Sequence, residues 1–240
     1  MEPSKAMDTL RSFLGKYFYF CLSLLIAVVV VYGFSHTVND NLIHAHPIRP
    51  IILWFHAIAF CGWVVFFIVQ SALVRTHNVS IHRKLGWFGL ALGIAMIVLG
   101  YTTAVTMAKY RVINPGPFGD PAPFLIVPFH DITSFAIFFT LAIWYRKKPE
   151  LHRRFIFIAS CVLTAAAFGR FPTPLAENWW NVGVDSLVFL GMVRDLIVMK
   201  RVHPIYLWAL PCMIVAQVIQ VHIVNHPCAA WLGIAHFLMR

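Results

Sequence analysis

The feature that most limits what this chain can become is a series of apolar stretches, each about twenty residues long, separated by short polar breaks. A helix rises about 1.5 Å per residue, so twenty residues cover roughly 30 Å, the hydrocarbon thickness of a bilayer. In hydrocarbon every backbone amide needs a partner within reach, and a helix supplies its own. The composition agrees: 60% of residues are hydrophobic and 12% are charged, against about 25% charged in ordinary soluble domains. Mean hydropathy is +0.76. The spacing predicts seven spanning helices, over about 17–34, 51–74, 81–107, 123–145, 150–169, 180–199 and 205–224. The expected fold is an all-α, polytopic integral membrane bundle, a single membrane domain over 1–240 with a four-helix core at 51–170.

Local signals set the boundaries. Residues 1–16 are polar and basic and lead into the first apolar run, which resembles a signal peptide but lacks an Ala-x-Ala site and is long enough to span, so it reads as a retained helix. Ser80 is placed to cap the third helix and Pro149 to open the fifth. The stretch Asn114 to Pro123 is dominated by proline and glycine and reads as a loop; Phe171-Pro-Thr-Pro174 stops the fifth helix. The tail from Ala229 reads as a short interfacial helix anchored by Trp231. Trp54, Trp87, Tyr101, Tyr145, Trp179 and Trp180 fall near expected helix ends, where aromatic belts sit.

The net charge of +10 comes from short basic clusters between apolar runs, which set orientation and give no reason to expect nucleic acid. With seven alternating spans, the N-terminus and the turns at 75–84, 146–154 and 200–201 share one side and hold 13 of the 19 Lys and Arg. That side is expected to be cytoplasmic, giving N-in and C-out in the plasma or inner membrane. The five cysteines form no readable disulfide framework or Cys-x-x-Cys site and read as packing residues.

One motif occurs twice within this frame. Phe55-His56-Ala57-Ile58 leads into an apolar helix and His82-Arg83-Lys84 opens the next; Phe129-His130-Asp131-Ile132 and His152-Arg153-Arg154 repeat the pattern. The histidines of each hairpin are 26 and 22 residues apart (82 − 56 and 152 − 130). Depth matches His56 with His130 near one face and His82 with His152 near the other. An ionisable residue in a span marks function by default. Paired neutral imidazoles at two depths are what two bis-histidyl haems require, and bis-imidazole ligation leaves no open position for oxygen. Arg83, Lys84, Arg153 and Arg154 are expected to meet the propionates at the basic face, and Arg49 or Arg170 those at the other.

This arrangement resembles the cytochrome b561 family, transmembrane di-haem proteins in which histidines on the second and fourth helices hold one haem and those on the third and fifth hold the other. It rests on His56, His130, His82 and His152, with flanking Leu151-His152-Arg153-Arg154 and His82-Arg83-Lys84-Leu85-Gly86. The His-Arg-x-Leu-Gly third helix is also similar to that of uncharacterised bacterial membrane proteins. The resemblance covers about 51–170 and implies electron transfer between the faces through two b-type haems, an oxidoreductase role, and a small anionic reductant or quinone as partner.

A second reading is an intramembrane hydrolase or oxidase. His222 and His226 are spaced i, i+4, and with Asp131 and Asp185, or with His44, His46 or His56, they form a candidate zinc or iron site of the general look of seven-helix ceramidase-type hydrolases. A third is non-catalytic: a transporter, an assembly factor, a homo-oligomer or a subunit of a larger membrane complex. Gly86, Gly89, Gly93 and Gly100 permit close helix packing, Gln70, Gln217 and Gln220 are suited to bonds between helices, and Asp185 with Arg170 and Arg194 with Asp195 read as structural ion pairs.

Overall fold

The structure is a computed structural model that describes residues 3–115, 119–172 and 180–240. Every described element is helical. In chain order these are α1 (Pro3–Ser35), α2 (Ile52–Arg75), α3 (Val79–Ile113), α4 (Ile126–Trp144), α5 (Pro149–Val162), the single turn α6 (Ala165–Phe168), α7 (Trp180–Met199), α8 (Pro204–Asn225) and α9 (Ala229–Leu238). A π-helical turn, Asn39–Ile43, lies between α1 and α2, and a 3-10 turn, Pro123–Leu125, runs straight into α4.

Six helices are long and apolar enough to cross a membrane: α1, α2, α3, the 3-10 turn with α4, α5 with α6, and α8. They fit a multi-pass membrane protein. The twenty residues of α7 are as long as a span but carry Asp185, Arg194 and Asp195. Large apolar side chains point outward along the helices, as at Val31, Ile58, Val65 and Trp144, the last 77% exposed. A water-facing surface of that kind would drive association, whereas lipid solvates it.

Helices adjacent in sequence form most of the contacts: α2 with α3, α3 with α4 and α4 with α5, while α1 lies against α2, α6 and α7, and α8 against α4 and α7. Trp63 sits at the centre. Its ring meets Phe135 and Phe139 of α4 at 5.3 and 5.7 Å edge-to-face, and its indole N–H donates to the Ser160 hydroxyl of α5 at 3.2 Å. One face of α3 is smooth because Gly89, Gly93 and Gly100 lie on it; a methyl group there would collide with Phe66, Phe139 and Ile132. Lipid is as apolar as the core, so close packing of this kind, rather than release of water, holds the helices together.

Several boundaries differ from expectation. The helix of the first span starts within the polar leader, so α1 has 33 residues, about 50 Å, and its first turns project beyond a bilayer. Helix α3 runs to Ile113, which shortens the following loop. Ser80 is inside α3; Asn78 occupies the N-cap and makes no side-chain bond there. The span begun by Pro149 breaks at Leu163 and Thr164 before α6. Trp179 and most of the loop expected at 171–179 lie outside the described residues.

The tightest helix contact supplies a test. A methyl at Gly33 of α1 would strike the backbone carbonyl of Ala167, which cannot swing away as a side chain can. Gly33→Ala is expected to destabilise the protein by about 1–3 kcal/mol, read as a lower melting temperature in detergent. Gly62→Ala, which meets nothing within 4 Å, is the matched control; equal melting of the two variants would show that α1 and α6 are not in close contact.

Candidate functional site at the basic end of the bundle

His82 is the fourth residue of α3 and His152 the fourth of α5. Both hairpins turn at the same end, so the two rings meet there, their centroids 6.4 Å apart and their planes at 76°. His152 Nδ1 lies 2.8 Å from the Ala142 carbonyl oxygen of α4. A carbonyl can only accept, so Nδ1 carries the proton and Nε2 keeps a lone pair. Gln70 of α2 donates to the His82 carbonyl at 3.3 Å, while His82 Nδ1 is buried without a partner.

The separation suits one metal between the rings. Two iron-to-nitrogen bonds of about 2 Å and two ring radii of about 1.2 Å place the centroids roughly 6 Å apart. Edge-to-face aromatic pairs span about 4.5–7 Å too, so distance alone does not separate a ligand pair from a packing pair. Chemistry does: apolar rings leave nothing unsatisfied, whereas this pair holds a buried unpartnered nitrogen and a second ring with its tautomer fixed.

The other two histidines are the fifth residues of α2 and α4. His56 stacks on Phe60 at 4.0 Å with Nδ1 buried and unpartnered. His130 Nδ1 lies 3.2 Å from Asp131 Oδ1, and its Nε2 is buried and unpartnered. No ring contact joins His56 and His130 among the described residues. Instead His130 lines a cavity of about 10 Å³ with Asp131, Ser134, Asn181 and Gln217, facing α7 and α8, room for about one water. The structure therefore assembles the pair at the basic end and leaves the other two histidines apart.

The basic residues divide. Arg83 and Lys84 are exposed beside His82 and free to meet an anionic group. Arg153 pairs with Glu150. Arg154, expected to face a propionate, does not: it is fully buried, donates to both Asp195 oxygens at 2.8 Å, and binds Glu150 at 2.7 Å. Asp195 also pairs with Arg194 at 2.8 Å. At the other end Arg170 bonds to the Thr37 hydroxyl and the Ala166 carbonyl and lies over Phe34, and Arg49 lies over Tyr110. His203 caps α8 by accepting from the Ile205 N–H at 3.2 Å. Burial first, then the Arg154 charge, holds its pKa below the ordinary value.

The alternative zinc or iron site is not built. Among the described residues no three His, Cys, Asp or Glu side chains gather around one point. His222 and His226 face each other at 5.2 Å on the exposed end of α8, Asp131 pairs with His130, and Asp185 accepts from Gln217 at 3.1 Å rather than pairing with Arg170. The Arg154–Asp195 bond escaped sequence reasoning, because Asp195 already had an adjacent arginine to account for it. Charges in the middle of an apolar stretch were the available signal.

No family model, no curated protein and no solved structure matches the chain, so the arrangement stands on its own geometry.

Asp195 offers a direct test of the charge network. Asp195→Asn removes the carboxylate facing two buried guanidinium groups and is expected to destabilise by about 3–5 kcal/mol. Replacing the pair together, Arg154→Met with Asp195→Leu, should recover a large part of that loss. A double variant melting no higher than the single one would mean the pair does not act as a unit.

Proposed function

We propose that the protein is a transmembrane electron carrier of the cytochrome b561 kind, in which His82 and His152 ligate a b-type haem at the basic end and His56 and His130 serve a second haem toward the opposite face. The observation that carries this reading is the His82–His152 pair, with its 6.4 Å ring separation and buried unpartnered nitrogen. A bound haem of this type supplies an iron that accepts and releases one electron without opening a position for oxygen.

The chain's own residues prepare the site. The Ala142 carbonyl holds the His152 proton on Nδ1, which aims the Nε2 lone pair away from the backbone. Gln70 ties α2 to α3 beside His82. Arg83 and Lys84, exposed next to it, attract an anionic reductant and neutralise carboxylates. Between the two histidine layers Trp63, Phe135 and Phe139 fill the bundle, keeping water out of the space an electron would cross. His56 and Trp63 are seven residues apart on α2, about 10 Å along the helix. In the outer pair one nitrogen of each ring, His56 Nδ1 and His130 Nε2, is buried without a partner.

Orientation belongs to the same proposal. In this reading the basic turns put the His82 end in the cytoplasm, and α7 spans with Asp195 paired to Arg154 of α5 and Asp185 bonded to Gln217 of α8, for seven crossings, N-in and C-out. Reporter fusions after Arg75, Tyr110 and Arg240 should read cytoplasmic, external and external; a cytoplasmic reading at Arg240 would remove α7 or another helix from the set of spans.

The haem is tested by colour. Protein purified from haem-sufficient cells should show low-spin b-type bands on reduction. His82→Ala and His152→Ala should each abolish the same component while the protein stays monodisperse. His56→Ala and His130→Ala should remove a second component of similar size. A colourless wild-type protein, or bands unchanged by both His82→Ala and His152→Ala, sinks the reading.

A further inference from the structure

The charge network around Arg154 does not balance. Three guanidinium groups, Arg153, Arg154 and Arg194, meet two carboxylates, Glu150 and Asp195. Arg194 is 4% exposed and Arg154 fully buried, while of the two carboxylates only Asp195 is buried and Glu150 is half-exposed, so positive charge exceeds negative among the buried groups. Such an excess is costly unless an anion joins it.

The unused hydrogen-bonding groups agree on the sign. Arg153 Nε and Arg194 Nε are buried and have no acceptor, and the buried hydroxyls of Tyr19 and Tyr206 have only each other. The arginine nitrogens can only donate, and a pair of hydroxyls that share one bond has one proton left to give. They gather at two rings: the guanidinium carbons of Arg153 and Arg194 lie 5.3 and 5.6 Å from the centre of Tyr19 on α1, and that of Arg154 lies 6.0 Å from the centre of Tyr206 on α8. The cluster thus collects donors from α1, α5, α7 and α8. It opens to the surface through Arg153, whose side chain is 34% exposed, and Glu150, 52% exposed.

We infer that Tyr19, Arg153 and Arg194 form a binding site for a phosphate-bearing anion at the basic end of the bundle. Two arginine forks and a phenol match the several acceptor oxygens of a phosphate better than the single point of a halide. A site at the level where apolar helices give way to basic turns lies where lipid headgroups lie, and an anionic phospholipid presents the same phosphate chemistry as the free ion. This inference is independent of haem: it uses neither His82 nor His152.

The experiment uses the full-length protein in an uncharged detergent, delipidated and titrated in turn with phosphatidylglycerol, phosphatidylcholine, inorganic phosphate and chloride. Thermal unfolding reports binding, and native mass spectrometry counts what is retained. Phosphatidylglycerol should raise the melting temperature saturably at one bound molecule per chain, with chloride inert and phosphatidylcholine weaker. Saturation by inorganic phosphate at the same site would make the free anion the ligand. Arg194→Gln strips Asp195 of a partner and is the variant least able to fold, so Arg153→Gln and Tyr19→Phe carry the test; each should weaken binding by about tenfold, the loss of one bond to a charged acceptor. The inference is overturned if no phosphate-bearing probe binds at one per chain, or if binding is the same in wild type and both variants.

Discussion

The bond on which the arrangement turns is the buried pair of Arg154 and Asp195. It fixes the rotation of α5 about its own axis, because a fully buried guanidinium leaves its carboxylate only at a cost of several kcal/mol. Residues two apart on a helix point about 200° from each other. Holding Arg154 against α7 therefore turns His152 the opposite way, toward α3 and His82. The pair is in this sense a positioning device for the histidine site, although it touches neither ring. It also explains why α7 carries charge at all: Asp195 is the partner that lets α5 keep an arginine one turn inside its start.

The bilayer imposes a different economy of packing from that of water. Lipid-facing side chains such as Val31 and Trp144 gain nothing by turning inward, so the helices must be held by shape and by hydrogen bonds. The structure uses both. Shape comes from the glycine face of α3, into which Phe66, Phe139 and Ile132 press, and from Gly33 against Ala167. Hydrogen bonds between helices come from Trp63 to Ser160, Gln70 to His82, Gln217 to Asp185 and Asn181 to Gln220. Two of these four reach residues beside the histidines or the helix that carries them.

Much of the helical layout was legible because each span is a long apolar run with a basic or proline-rich break after it, and α7 ends where the sequence placed its end. The four histidines were legible as a repeated unit, and they stand fourth in α3 and α5 and fifth in α2 and α4. What was not legible depended on rotation. Sequence spacing says how deep His130 lies but not that its ring faces a small polar cavity shared with Gln217 and Asn181. It puts Arg153 and Arg154 side by side as equivalent cations, while the structure sends one to the surface and buries the other. Nor does a serine near a helix start reveal whether the helix begins before or after it, which is why Ser80 proved to be interior.

The two hairpins are alike in sequence but differ in the state of their imidazoles. On α4 and α5 each histidine has its Nδ1 engaged, His130 with the Asp131 carboxylate and His152 with the Ala142 carbonyl. Both partners accept, so both rings carry the proton on Nδ1 and keep the lone pair on Nε2. On α2 and α3 the Nδ1 atoms of His56 and His82 are buried without partners. Each depth therefore matches one ring of fixed tautomer with one that no hydrogen bond at Nδ1 orients. At the basic end the two rings meet with their centroids 6.4 Å apart; at the other, Phe60 stacks on the unfixed ring of His56 and Asp131 holds the fixed one. A carboxylate partner makes an imidazole a stronger donor than a carbonyl partner does. The His130 imidazole is thus held by the stronger partner and the His152 imidazole by the weaker one, so the two ends of the bundle are not equivalent.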